Sequence, residues 1–168
     1  MKIKKMQTMN KRKSMDTAGD PYLLKMVNSA MAVCKRCHAI YHNKRWYLDE
    51  ELYQKKAAMK DTEKILCPAC LKIKDNFPGG VVTLTGDFLH EHEEEIMNLI
   101  KNEEERAKGF NPLERIMDIT KIKKGMEITT TNEKLAQRIA RSLERAYQGS
   151  VEYKWSSGTK LLRAEWER

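Results

Sequence analysis

The hydrophobic positions of this chain follow two rhythms, one with the period of a helix and one with the period of a strand. Between residues 87 and 108, Phe88, Leu89, His92, Ile96, Leu99 and Ile100 recur at helical spacing while glutamates fill the other face, which predicts one amphipathic helix from Asp87 to about Lys108, ended by Gly109. Asn111-Pro112-Leu113-Glu114 has the form of a capping box with proline at the first helical position, and predicts a short helix from Leu113 to about Ile119. Met126, Ile128 and Thr130 then alternate as in a strand, Thr131 or Asn132 is placed to cap a helix running to about Gln148, and Gly149 stops it. Val151, Tyr153 and Trp155, followed past Ser156-Ser157-Gly158 by Leu162, Ala164 and Trp166, repeat the period of two. The order is β-α-β-β, in which the first two strands can lie as parallel neighbours and the last two as an antiparallel hairpin.

Upstream the pattern is less regular. Ala39 to Leu48 has the aromatic content of strands (Tyr41, Trp46, Tyr47), Asp49 to Lys60 reads as a polar helix, and Val81 to Thr85 follows the turn-forming Asn76-Phe77-Pro78-Gly79-Gly80 as a short strand. Residues 1–20 hold almost no large apolar side chain besides methionine and cannot offset their ordering entropy, so they are expected to be a disordered basic arm. The chain divides into an arm (1–20), a module that holds all four cysteines (21–86), a helical connector (87–122) and a β-α-β-β domain (123–168). The expected class is α+β.

Composition sharpens this picture. The 168 residues carry a formal charge of +8, and residues 1–75 hold 17 lysines and arginines against 8 acids while residues 76–168 hold 15 against 16. An excess of cations confined to one half suggests a polyanionic partner, and nucleic acid is preferred over membrane because no stretch has the apolar length of a spanning helix. The first ten residues are not followed by an apolar core and cleavage site, so no signal peptide is expected and the compartment is read as cytoplasmic.

The clearest chemistry lies in the cysteines. Cys34-Lys-Arg-Cys37 and Cys67-Pro-Ala-Cys70 are two Cys-x2-Cys knuckles with 29 residues between them, and they use every cysteine in the chain. Two such knuckles complete a tetrahedron of thiolates around one structural Zn²⁺, leaving no open position for a reacting ligand, so residues 21–86 are expected to be a zinc-binding module of the zinc-ribbon or treble-clef kind. Four thiolates on a dication carry a formal −2, which Lys35, Arg36 and Lys72 are placed to offset or, alternatively, to leave for phosphate. His38 and His42 follow the first knuckle, but the four sulfurs already saturate the metal.

Candidate RNA contacts are Lys11, Arg12 and Lys13 in the arm; Lys35, Arg36, His42, Lys44, Arg45 and Lys72 around the knuckles; and Lys134, Arg138, Arg141 and Arg145, a stripe opposite the apolar face of the C-terminal helix. Trp46 beside Lys44 and Arg45 is either a stacking platform for a base or a core residue packed over the knuckle. No enzymatic constellation is present: Glu91, Glu93, Glu94, Glu95, Glu103, Glu104 and Glu105 point around a helix rather than converging, and there is no phosphate-binding glycine loop, nucleophile elbow or histidine pair at metal spacing. No small-molecule substrate is expected.

From Cys34 to Trp166 the sequence resembles a small bacterial zinc-ribbon family related to the Nmd-three proteins, adaptors of the large ribosomal subunit. The matching segments are Cys34 to His42 with Arg45-Trp46, Cys67 to Cys70, Val82 to Gly86 with Phe88-Leu89, Glu95 to Leu99 with Asn102 to Glu104, Asn111 to Met117, and Ile128 to Thr131 with Leu135-Ala136. The resemblance implies association with the ribosome and its rRNA, with effects on ribosome stability, assembly or mRNA turnover, and it implies no catalytic activity. The resulting expectation is a non-enzymatic zinc protein acting on ribosome stability, hibernation or translation. The rival from another class is a regulatory adaptor that docks a protein partner through the acidic helix 87–108.

Overall fold

The computed structural model describes residues 20–24 and 30–168. Most of the expected basic arm, with Lys11, Arg12 and Lys13, lies outside the described residues. The fold is α+β, built from two sheets with separate apolar cores. Among the described residues no helix is long and apolar enough to cross a membrane.

The first sheet is small. After the single turn α1 (Pro21–Leu24), strands β1 (Met31–Cys34), β2 (Ile40–His42) and β3 (Arg45–Tyr47) form an antiparallel meander, helix α2 (Glu50–Ala57) follows, and β4 (Glu63–Ile65) returns parallel to β1, giving the order β3-β2-β1-β4. Asn43 and Lys44 join β2 to β3 with φ of +50° and +61°, the paired positive angles of a type I′ hairpin turn. Asp49 starts α2 by accepting a hydrogen bond from the Leu52 amide at 2.9 Å. Helix α3 (Pro68–Asp75) has proline in its first turn and ends at Asn76 in the left-handed region.

The second sheet has five strands: β5 (Gly80–Thr85), β6 (Ile116–Ile122), β7 (Gly125–Thr130), β8 (Ser150–Trp155) and β9 (Leu162–Glu167), in the order β6-β7-β5-β9-β8. Helix α4 (Asp87–Glu91) and helix α5 (Glu93–Phe110) follow β5, and helix α6 (Glu133–Tyr147) joins β7 to β8. Its apolar side chains Leu135, Ala136, Ile139, Ala140 and Leu143 are fully buried against Val82, Leu84, Ile128, Leu162, Ala164 and Trp166, with Ile96 and Ile100 of α5 closing the same core. The opposite face of the sheet carries Asp118, Thr120, Glu127, Glu152 and Glu165, with Lys154 and Arg163 among them.

Three expectations change. The segment read as a helix from Leu113 to Ile119 is a turn followed by β6. The polar group taken as an N-cap, Asn111 Oδ1, does accept from the Leu113 amide at 3.1 Å, but this bond serves a turn just as well. Ile116 and Ile119 then pack beside the core from the sheet edge, with a bulge between Ile116 and Asp118. The two strands flanking α6, β7 and β8, are not neighbours either: β5 and β9 lie between them, β5 pairing antiparallel with β7 and parallel with β9. The β-α-β-β order is as read, and the sheet is completed by β5 and β6 from earlier in the chain. Finally, the acidic helix is two helices, broken at His92, and Gly109 lies inside α5 rather than ending it.

Helix α6 comes close to β5 because Gly80 has no side chain. A Cβ at Gly80 would run into the Ala136 side chain and lie 2.6 Å from Thr130 Oγ1, whereas a Cβ at Gly109 meets nothing within 4 Å. Gly80→Ala is therefore expected to destabilise by about 1–3 kcal/mol through overpacking. Gly109→Ala in the last turn of α5 is expected to stabilise by about 0.4–1 kcal/mol through the unfolded chain. Chemical denaturation of the two variants checks the opposite signs.

Candidate metal centre

Each cysteine pair is presented by local structure that its own sequence dictates. Cys34 ends β1, and a tight turn brings the chain back: the Cys34 amide donates to Ala39 O at 2.7 Å and the His38 amide to Cys34 O at 3.0 Å, with His38 at φ +64°. Cys67 is the N-cap of α3, and its sulfur accepts from the Cys70 amide at 3.4 Å, so the first helical turn presents both thiols on one side. The Cys67 amide in turn donates to Cys34 Sγ at 3.3 Å, joining the knuckles directly. Parallel pairing of β4 with β1, Cys34 opposite Ile65, brings the second knuckle beside the first.

The four sulfurs lie within 4.8 Å of one another, with Cys37 Sγ 3.6 Å from Cys67 Sγ, and three of the four residues are buried. Sulfurs at the corners of a tetrahedron around Zn²⁺, with bonds of about 2.3 Å, stand about 3.8 Å apart, so the donor set fits one four-thiolate structural zinc. Their protonation points the same way. Hydrogen bonds from Cys37, Cys67 and Cys70 drive the Cys34 thiol far below its ordinary value, while Cys34 and Cys37, together with burial, drive Cys67 far above its own. A dication lets all four become thiolates together and removes that conflict.

Around the sulfurs the structure sorts the expected residues. Lys35, Arg36, His42, Lys44 and Arg45 are exposed, with Lys35 and Arg36 at the knuckle end of the β1–β2 pair and Lys44 and Arg45 at its hairpin end. None of these four lysines and arginines makes an ion pair among the described residues. Trp46 belongs to the core. It is 6% exposed, packs 5.3 Å from the Tyr41 ring and shares a cluster with Cys34, Cys67 and Cys70, so it offers no face to a base. Lys72 is also corrected: it is 6% exposed, pairs with Asp20 and donates to Thr131 O at 2.8 Å, so its ammonium reaches neither phosphate nor sulfur. His38 stacks on Tyr53 of α2 at 4.0 Å and shares a hydrogen bond with Glu50 at 3.1 Å, away from the metal position.

On α6, Lys134, Arg141 and Arg145 are exposed, while Arg138 is half-buried and pairs with the buried Glu114 at 3.5 Å. The acidic helix spends much of its charge internally: Glu104 accepts from the Ile116 amide at 2.8 Å, Glu103 is buried beside Arg106, and Glu93 pairs with Lys121.

Sequence reasoning missed Arg115. Its guanidinium donates to Pro112 O at 2.6 Å and lies 3.9 Å from Cys70 Sγ. Burial lowers its pKa, and negative charge on Cys37, Cys67 and Cys70 more than reverses this. It therefore occupies the place beside the thiolates that Lys72 was expected to share. A helical reading of 113–119 hides it, since only the turn at Asn111 aims Arg115 back at the knuckle.

Because Leu113 and the cysteines share one small core, metal binding energy is folding energy for the first sheet. In Cys67→Ser, zinc binding is expected to be lost, together with exchange protection in β1 to β4, while β5, β7 and β9 stay protected, since their core holds no cysteine. Metal analysis and amide exchange on the same sample measure both. No protein-family model and no curated protein matches the chain.

Proposed function

We propose that the protein is a non-enzymatic RNA-binding zinc protein, with rRNA on the ribosome as its partner. The observation that carries this reading is the set of exposed cations on the zinc knuckle and its hairpin, Lys35, Arg36, Lys44 and Arg45, which form no ion pair among the described residues. Cations left without acids on a metal-rigidified scaffold suit a phosphate backbone, which needs positive charge at fixed spacing more than it needs a pocket. The α6 stripe extends the surface. Lys134 lines the same cleft of about 230 Å³ as Pro68 and Ala69 of the second knuckle, and Arg138 is tied through Glu114 to the segment that meets the zinc site.

The open face of the five-stranded sheet does not serve this role. Acids outnumber cations there, and no aromatic ring stands on it for a base to stack upon. RNA would therefore approach from the knuckle and the N-terminal end of α6. The ribosomal partner is supported by the segments resembling the Nmd-three-related family, since Cys34 to His42, Cys67 to Cys70 and Asn111 to Met117 all surround the metal centre.

Replacing Lys35, Arg36, Lys44 and Arg45 together by alanine should leave zinc and fold intact. It should also flatten the salt dependence of RNA or ribosome binding by about 0.7–0.9 log units for each phosphate that the variant no longer neutralises. Binding titrations at several salt concentrations measure the slope. An unchanged slope and affinity with zinc still bound would refute RNA binding by this surface and favour docking of a protein partner on helix α5.

A further inference from the structure

The segment 111–115 passes between the two sheets and is gripped from both. On one side Leu113 is 7% exposed within the cysteine core, and Arg115 reaches Cys70 Sγ. On the other, Thr131 at the end of β7 forms a hub: its hydroxyl donates to Leu113 O at 2.6 Å and accepts from the Arg115 amide at 2.9 Å, and its own amide donates to Arg115 O at 2.9 Å. Thr131 O accepts from Lys72, a residue of the helix whose N-cap is Cys67. The contacts close a ring, from Cys70 to Arg115, to Thr131, to Lys72 and back through α3 to Cys70.

We propose that Arg115 is the outer-sphere cation of the zinc centre, and that through the Thr131 hub it couples metal loading to the seating of segment 111–115 between the two sheets. A four-thiolate zinc site carries a formal −2, and a guanidinium at the sulfur lowers the cost of enclosing that charge. When the metal leaves, nothing fixes the four sulfurs relative to one another, and the partly buried guanidinium loses the fixed partner it has at Cys70 Sγ, so the segment that carries it is less well held. Coupling of this kind is reciprocal. Whatever loosens Thr131, which touches no sulfur, must also weaken metal retention. This inference concerns the metal and the fold, and does not depend on the RNA reading.

Two measurements on the full chain test it. The first is zinc release to a chromogenic chelator. Arg115→Ala is expected to release zinc about 10–100-fold faster than the parent. Thr131→Val, which deletes the hub hydroxyl, should also speed release. Arg115→Lys should fall between Arg115→Ala and the parent, because it keeps the charge without the fork. Lys124→Ala, at an exposed cation in the turn between β6 and β7, should match the parent. The second is amide exchange in the unsubstituted protein before and after chelation: exchange at the Thr131 and Arg115 amides should accelerate on stripping while the β8–β9 hairpin amides hold. A parent-like release rate in Arg115→Ala, or unchanged exchange at Thr131 after stripping, would overturn the proposal. The second measurement decides the matter even if Arg115→Ala does not fold.

Discussion

Four thiols packed within 4.8 Å of one another are a poor arrangement without a cation, because hydrogen bonds among them push some toward thiolate and others toward a proton that burial then traps. A dication at their centre removes this conflict and ties the two knuckles together. The first sheet depends on it: its strands are three or four residues long, and its core is a handful of small or aromatic side chains around the sulfurs. Such a core is below the size at which apolar burial alone sustains a fold. The metal fixes β1 relative to α3, and with them the hairpin that displays Lys44 and Arg45.

The second sheet has no such dependence, since its core runs continuously from Val82 to Trp166. What the two share is the segment 111–115. Leu113 enters the cysteine core, Glu114 holds Arg138 of α6, and Arg115 faces Cys70. Charge is arranged accordingly. Lys72 and Arg115 are absorbed at the junction, whereas the cations of the knuckle turn and the hairpin, Lys35, Arg36, Lys44 and Arg45, are exposed. Burial, not residue type, separates the cations that hold the junction from those that face solvent.

Much of this was legible in the sequence. The cysteine spacing identified all four metal ligands, because Cys-x2-Cys needs no tertiary context to aim two sulfurs at one point. Strict alternation in Met126 to Thr130 and Leu162 to Trp166 located two strands, and the apolar face of α6 was legible residue by residue. The errors have physical causes. Asn111-Pro112-Leu113-Glu114 carries the local bonds of a helix cap and of a turn alike, and only the pull of Ile116 and Ile119 into a sheet edge decides between them. The position of β5 between β7 and β9 is a long-range pairing with no local signature. Lys72 and Trp46 sit among exposed cations in the sequence yet are buried in space, and with Arg115 they show that side-chain burial near a metal is set by which elements converge there.

One zinc ion, held by Cys34, Cys37, Cys67 and Cys70, organises the first sheet. Native mass spectrometry of protein purified without chelator, combined with thiol alkylation before and after metal removal, tests it most directly. One zinc per chain, with all four thiols protected until the metal is stripped, is the result required. Metal well below one per chain, with thiols that react freely in folded protein, would contradict the account.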